Sequence, residues 1–168
     1  GPAPHPLAPP STSLRTSYCG QIKWLKPTLK HAYRLNSSSA DQLYVIGGAM
    51  AIHKNVFEKI GLFDEKYFLY FEDADYSIRA QKAHIPISIA QGFMIYHKAS
   101  SSTKKLGSPL LLRYHYRNAL YFNRKNGPWY IKLLVWPWSF WIMLKQAVKI
   151  MIYHNREQSL AVLRGVFD

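Results

Sequence analysis

From residue 43 onward, apolar and polar positions alternate in blocks that predict an α/β unit. LYVIGGAMAI is an apolar run broken by Gly47-Gly48, the pattern of a buried strand kinked or closely approached at its glycines. In KNVFEKIGLF, Val56, Phe57 and Ile60 share a face, which predicts a short helix stopped by Gly61. DEKYFLY reads as a loop or short extended piece. EDADYSIRAQKA carries Ala74, Ile78 and Ala83 at helical spacing, with its acids in the first turn, where the helix dipole favours them. IPISIAQGFMIYH then predicts one strand or two short ones. The order strand, helix, helix, strand specifies one layered core and not a helical bundle.

The flanks differ. Residues 1–17 are Pro/Ser-rich and predict an extended leader, and QIKWLKPTLKHAYRL with the run NSSSA reads as a basic, aromatic loop. LLLRYHYRNALYFNRK places Leu111, Tyr114, Asn118 and Tyr121 at helical spacing. WYIKLLVWPWSFWIMLKQAVKIMIY is strongly apolar, but its uncharged run from Leu133 to Leu144 is twelve residues, against the ~20 that a membrane span needs. Leu133, Pro137, Phe140, Trp141, Leu144, Val148, Met151 and Ile152 fall on one broad face, with Lys145, Lys149 and Arg156 elsewhere. Tryptophans at 129, 136, 138 and 141 suit a water–lipid boundary, although a core-facing helix pair with a proline kink has the same pattern. The expected organisation is a leader and loop over 1–40, an α/β unit over 41–108, and a basic, amphipathic helical region over 109–168.

Composition narrows the class. Apolar residues make up 48% and charged residues 18%, which excludes a chain disordered throughout. With 22 Lys+Arg against 9 Asp+Glu the net charge is +13, predicting attraction to nucleic acid, a nucleotide diphosphate or a membrane surface. Cys19 is the lone cysteine, so no intrachain disulfide or thiolate zinc cluster forms. The proline-rich start is not a secretory signal, and Gly1-Pro2 suggests cleavage from a tag on a longer protein.

Four features offer chemistry: Gly47-Gly48, the cluster Glu72-Asp73-Ala74-Asp75, His97, and Arg117-Asn118. Asp73, near a helix N-terminus and beside the aromatic FLYF, suits a general base or metal ligand; the same acids also suit a plain helix start. His97 closes an apolar strand and reads as a metal ligand, a phosphate donor or a structural histidine. Arg117 suits phosphate, a carboxylate or a solvated helix pair.

In sequence order these features carry a resemblance. A GG-containing strand, a helix ending at Ile60-Gly61, Phe63-Asp64-Glu65, Tyr67-Phe68, Glu72-Asp73 with Asp75 and Arg79, a strand ending at His97, and Arg117-Asn118 follow one another over residues 43–125. This resembles the C-terminal, acceptor-side half of a family-2 glycosyltransferase of the rhamnosyltransferase-like kind. The resemblance implies part of a GT-A-like mixed sheet with flanking helices. It implies Asp73 as the general base that deprotonates an acceptor hydroxyl, Glu72 shaping the acceptor pocket, and Gly47, Gly48, Asp75, Arg117 and Asn118 binding substrate. It also implies His97 in a divalent-metal (Mg or Mn) site that neutralises the leaving nucleotide diphosphate.

The chain departs from that family at its start. Asp73-Ala74-Asp75 is the only Asp-x-Asp, and residues 1–42 carry no βαβ pattern, so a nucleotide-binding half is expected from elsewhere. The expected function is inverting transfer from a nucleotide-sugar donor to a polysaccharide or lipid-linked glycan acceptor, at the cytoplasmic face of a membrane. The alternative is a non-catalytic glycan-, lipid- or membrane-binding relic of the same fold. The acidic motif argues against a nucleic-acid partner. Asp73 and His97 are expected to converge on one cleft. The half-sheet is expected to leave an open edge, completed by self-association or by a complementing half.

Overall fold

The computed structural model describes residues 19–32, 43–88, 108–152 and 155–168. Three short strands, β1 (Cys19–Gln21), β2 (Lys30–Ala32) and β3 (Leu43–Tyr44), form an antiparallel sheet in the order β2-β1-β3. Five helices follow: α1 (Lys54–Ile60), α2 (Glu72–Lys82), α3 (Ser108–Asn126), α4 (Trp129–Met151) and α5 (Arg156–Phe167).

The sheet corrects two expectations. Two of its strands come from the stretch assigned to the leader and loop, and β1 pairs with β3 of the following stretch. The long strand expected through Gly47-Gly48 is only two residues; the chain turns through a 3-10 helix at Gly47–Ala49. Gly20 of β1 pairs with Tyr44, whose ring lies where a side chain at Gly20 would go. The ring covers the glycine and anchors this end of β3, an aromatic–glycine pairing known to steady sheets.

The helices match the apolar pattern more closely. α1 ends at Gly61, whose φ of 76° is the left-handed stop that glycine adopts without strain. α2 begins where the acids were placed. α4 continues as a helix through Pro137, which lies on its exposed side. α5 falls within the helical region expected over 109–168; it packs along α3, and Gly165 lets it do so, since a Cβ there would collide with the Arg113 carbonyl.

The core joins sheet to helices. Ile22 and Tyr44 from the sheet meet Phe71, Ala74 and Ile78 around α2 and Ala119 and Phe122 from α3. Trp24 stacks on Phe122 at 5.5 Å between ring centroids.

Beneath this apolar layer lies a buried ionic cluster. Asp75 is fully buried and accepts hydrogen bonds from Tyr67 Oη (3.2 Å), Arg79 Nε (3.0 Å), Lys125 Nζ (3.0 Å) and Asn126 Nδ2 (2.8 Å). Lys125 also reaches Asp64 at 2.7 Å, and Tyr121 donates to the same oxygen. Desolvation pushes the Asp64 carboxyl up, but the Lys125 and Tyr121 hydrogen bonds outweigh it and hold the pKa at about 2. Two acids thus face two bases, and α2, α3 and the loop between α1 and α2 are tied at one point.

Removing Asp75 strips the buried Tyr67 hydroxyl and Asn126 amide of their acceptor, and an unsatisfied buried polar group costs about 1–3 kcal/mol. Asp75→Ala is therefore expected to lower unfolding free energy by about 2–4 kcal/mol in urea titration. A loss under about 1 kcal/mol, the scale of an exposed pair, would show that the cluster carries no structural weight.

Candidate functional site

Asp73 lies in the first turn of α2, and its carboxylate is held from two sides. Oδ1 accepts from the Ala74 N–H at 2.8 Å, and Oδ2 accepts from the Gly47 N–H at 2.9 Å. Gly47 and Gly48 are exposed and Asp73 is half-buried, so the carboxylate stands beside an open patch of backbone. A Cβ at Gly47 would make only ordinary contact with Asp73, at 3.4 Å from its Cβ. Space for a methyl group therefore exists beside the carboxylate, and the backbone there is not strained.

Two more α2 side chains continue the same pattern. Ser77 Oγ accepts from the Val45 N–H at 3.0 Å while donating to the Asp73 carbonyl, and Gln81 Nε2 donates to the Leu43 carbonyl at 2.9 Å. Asp73, Ser77 and Gln81 stand four residues apart on one helical face and meet residues 47, 45 and 43 in turn. They close the outer edge of β3, which the sequence had suggested would lie open. Ser77 and Gln81 are the positioning residues that sequence reading missed. The signal was present: polar residues at i, i+4 and i+8 on a helix that follows a strand.

Glu72 adjoins this site. Its Oε2 is buried and has no hydrogen-bond partner among the described residues. Burial first, and then the negative charge of Asp73, push the Glu72 carboxyl above its usual range. Tyr44, on the sheet side, is pushed up by burial and then by the charges of Asp73 and Glu72. One tyrosine and two carboxylates thus share one field.

Two expected substrate-binding residues are fully buried and bonded within the fold. Asp75 is fully buried in the ionic cluster and has no surface left to offer a ligand. Asn118 is also fully buried, and its Nδ2 donates to the carbonyls of Tyr67, Leu69 and Tyr70. That amide holds a loop in which Phe68, Tyr70 and Phe71 have positive φ, so it sets the entry into α2 and hence the position of Asp73. Arg117 donates from Nη1 to the Lys66 carbonyl at 2.7 Å and lines an open groove with Lys66, Phe68, Arg113 and Tyr114. That groove shares no lining residue with the Asp73 patch. His97 lies outside the described residues, so the expected convergence of Asp73 and His97 has no geometry to report. Among the described residues no three His, Cys, Asp or Glu side chains assemble a cation site.

Two strains of Mycobacterium tuberculosis, CDC 1551 / Oshkosh and ATCC 25618 / H37Rv, carry an N-acetylglucosaminyl-diphospho-decaprenol L-rhamnosyltransferase to which this chain is similar. In each case 24% of residues are identical over 135 positions, covering 79% of this chain and 44% of the relative. The chain therefore spans less than half the length of these curated relatives. No family model and no solved structure matches it. The likeness relates the chain distantly to glycosyltransferases.

The buried Glu72 oxygen yields a prediction. A carboxyl whose folded pKa lies above its unfolded value stabilises the fold at low pH, and that contribution is lost as pH rises through the folded pKa. Glu72→Gln keeps the shape, removes the buried charge and adds a donor. Its stability relative to wild type should rise from pH 4 to pH 7, reaching up to about 1 kcal/mol in urea unfolding at neutral pH. A difference that does not change between the two pH values would mean that Glu72 is not held in this state.

Proposed function

We propose that this chain is the acceptor-binding, base-bearing part of an inverting glycosyltransferase. It moves a rhamnosyl or other hexosyl group from a nucleotide-sugar donor to a polysaccharide or lipid-linked glycan acceptor, and it works at the inner face of the cell membrane. The partial GT-A-like fold belongs to the same proposal. The observation that carries it is the Asp73 carboxylate, clamped between the Gly47 and Ala74 amides beside an exposed turn, in a chain related to a rhamnosyltransferase.

A sugar hydroxyl is a poor nucleophile until its proton leaves. Asp73 accepts that proton as the acceptor oxygen bonds to the anomeric carbon, and the nucleoside diphosphate departs from the opposite face with its electron pair. Attack from the face opposite the leaving group inverts the anomeric centre. The amide clamp contributes orientation, because a base fixed in its plane loses little entropy when the acceptor arrives. Glu72 lines the acceptor side, where its raised pKa favours a carboxyl that can donate to a sugar oxygen. Asn118 and Asp75 act one step back, by holding the loop and helix that present Asp73. The donor's nucleotide is bound by a complementing half.

The test is transfer in an assembly that also supplies the nucleotide-binding part. Asp73→Asn preserves shape and removes the proton acceptor, so the rate should fall by about 10²–10⁴-fold while donor binding stays nearly intact. Transfer at the wild-type rate would eliminate Asp73 as the base. If the wild-type assembly binds glycan without any transfer, the chain is a non-catalytic binding module.

A further inference from the structure

Among the described residues, nothing covers the outer side of α4. Its inward row, Ile131, Val135, Ile142 and Gln146, is buried against the rest of the chain. Its outward side exposes Trp129 (74%), Trp136 (67%), Phe140 (65%) and Trp141 (62%), then Leu144 and Met151 further along. An exposed apolar band this long requires a specific occupant.

We propose that the outer face of α4 docks this protein flat onto a bilayer containing anionic lipid. The proposal deepens the membrane location given in the proposed function, and its test reads lipid binding apart from glycosyl transfer. The distribution of charge identifies the occupant. α4 contains no Asp or Glu, and two of its three lysines border the apolar band, while the half-buried Lys149 lies on the inward side. At about 100° per residue, Lys132 falls just outside one edge of the band and Lys145 just outside the other, and both are exposed. From α3, the Arg124 guanidinium lies 5.6 Å from the centre of the Trp136 ring, adding a cation at the same level. Apolar and indole side chains in the middle with cations along both margins match the acyl boundary and phosphate layer of a membrane surface.

Two other features point the same way. No described helix is long and apolar enough to cross a membrane. Pro137 removes the N–H that would bond the Leu133 carbonyl, leaving an acceptor that interfacial water or headgroups satisfy and a hydrocarbon core does not. A second copy fits the face less well. Two such helices would bring rows of lysine together with no acid on either to pair them, on chains that each carry +13.

The experiment is flotation of the 168-residue chain with two kinds of vesicle, phosphatidylcholine mixed with phosphatidylglycerol and phosphatidylcholine alone. Wild type should float with the mixed vesicles at low salt, with partitioning about tenfold or more above that on neutral vesicles. Trp136→Ser/Phe140→Ser/Trp141→Ser should release it. Lys132→Glu/Lys145→Glu should weaken flotation on the mixed vesicles alone. All five positions are exposed, so the fold should survive, as circular dichroism would verify. The proposal is overturned if wild type stays soluble with anionic vesicles at low salt, or if the triple variant floats like wild type. It is also overturned if the triple variant loses dimerisation and not vesicle binding, which would make the occupant a second copy.

Discussion

An α-helix rises about 1.5 Å per residue and a strand about 3.3 Å, so every fourth helical side chain comes level with every second strand residue. α2 and the chain through β3 use this match. Asp73, Ser77 and Gln81 meet the Gly47 amide, the Val45 amide and the Leu43 carbonyl in strict succession. A two-residue edge strand would otherwise present unpaired backbone groups to solvent or to another chain. Closing that edge with side chains fixes the helix in register, and the first member of the row is the proposed base.

The other side of α2 is held differently. Arg79 pairs with Asp75 one turn back and donates to the Ile60 and Leu62 carbonyls, so it also ends α1. Lys125 and Asn126 bring the end of α3 to the same carboxylate. Charges this deep are tolerated because their donors and acceptors are matched. The outcome is a helix fixed on two faces with its N-terminal turn at the surface. Glu72 departs from this pattern, with a buried oxygen that finds no partner among the described residues. A local cost of this kind belongs at a place where a ligand supplies what the fold withholds.

Much of this was legible in the sequence, and the exceptions have physical causes. α1, α2 and α3 were readable because apolar residues recur at helical spacing and Gly61 marks a stop. β1 and β2 were not, since three-residue strands containing Lys30, His31 and Gly20 have too few residues to set up an alternation. The strand through Gly47-Gly48 was over-read: a continuous apolar run does not distinguish a strand from an extended segment that turns. Asp73 was placed at the head of α2 by the acids of its first turn. The burial of Asp75 and Asn118 was not legible, because a polar residue in a motif looks the same whether it faces a ligand or the core. Only the long-range partners Lys125, Tyr67 and Leu69 separate the two, and these are set by tertiary packing.

The central claim is that side chains of α2 close the β3 edge and thereby hold Asp73 in place. Amide hydrogen exchange at Val45 and Gly47 tests it most directly, because neither N–H has a backbone partner in the sheet ladder. Both amides should exchange slowly in wild type. Ser77→Ala should deprotect Val45, and Asp73→Ala should deprotect Gly47, with the remaining core amides little changed. Exchange of both amides at free-chain rates in the wild-type protein would contradict the account.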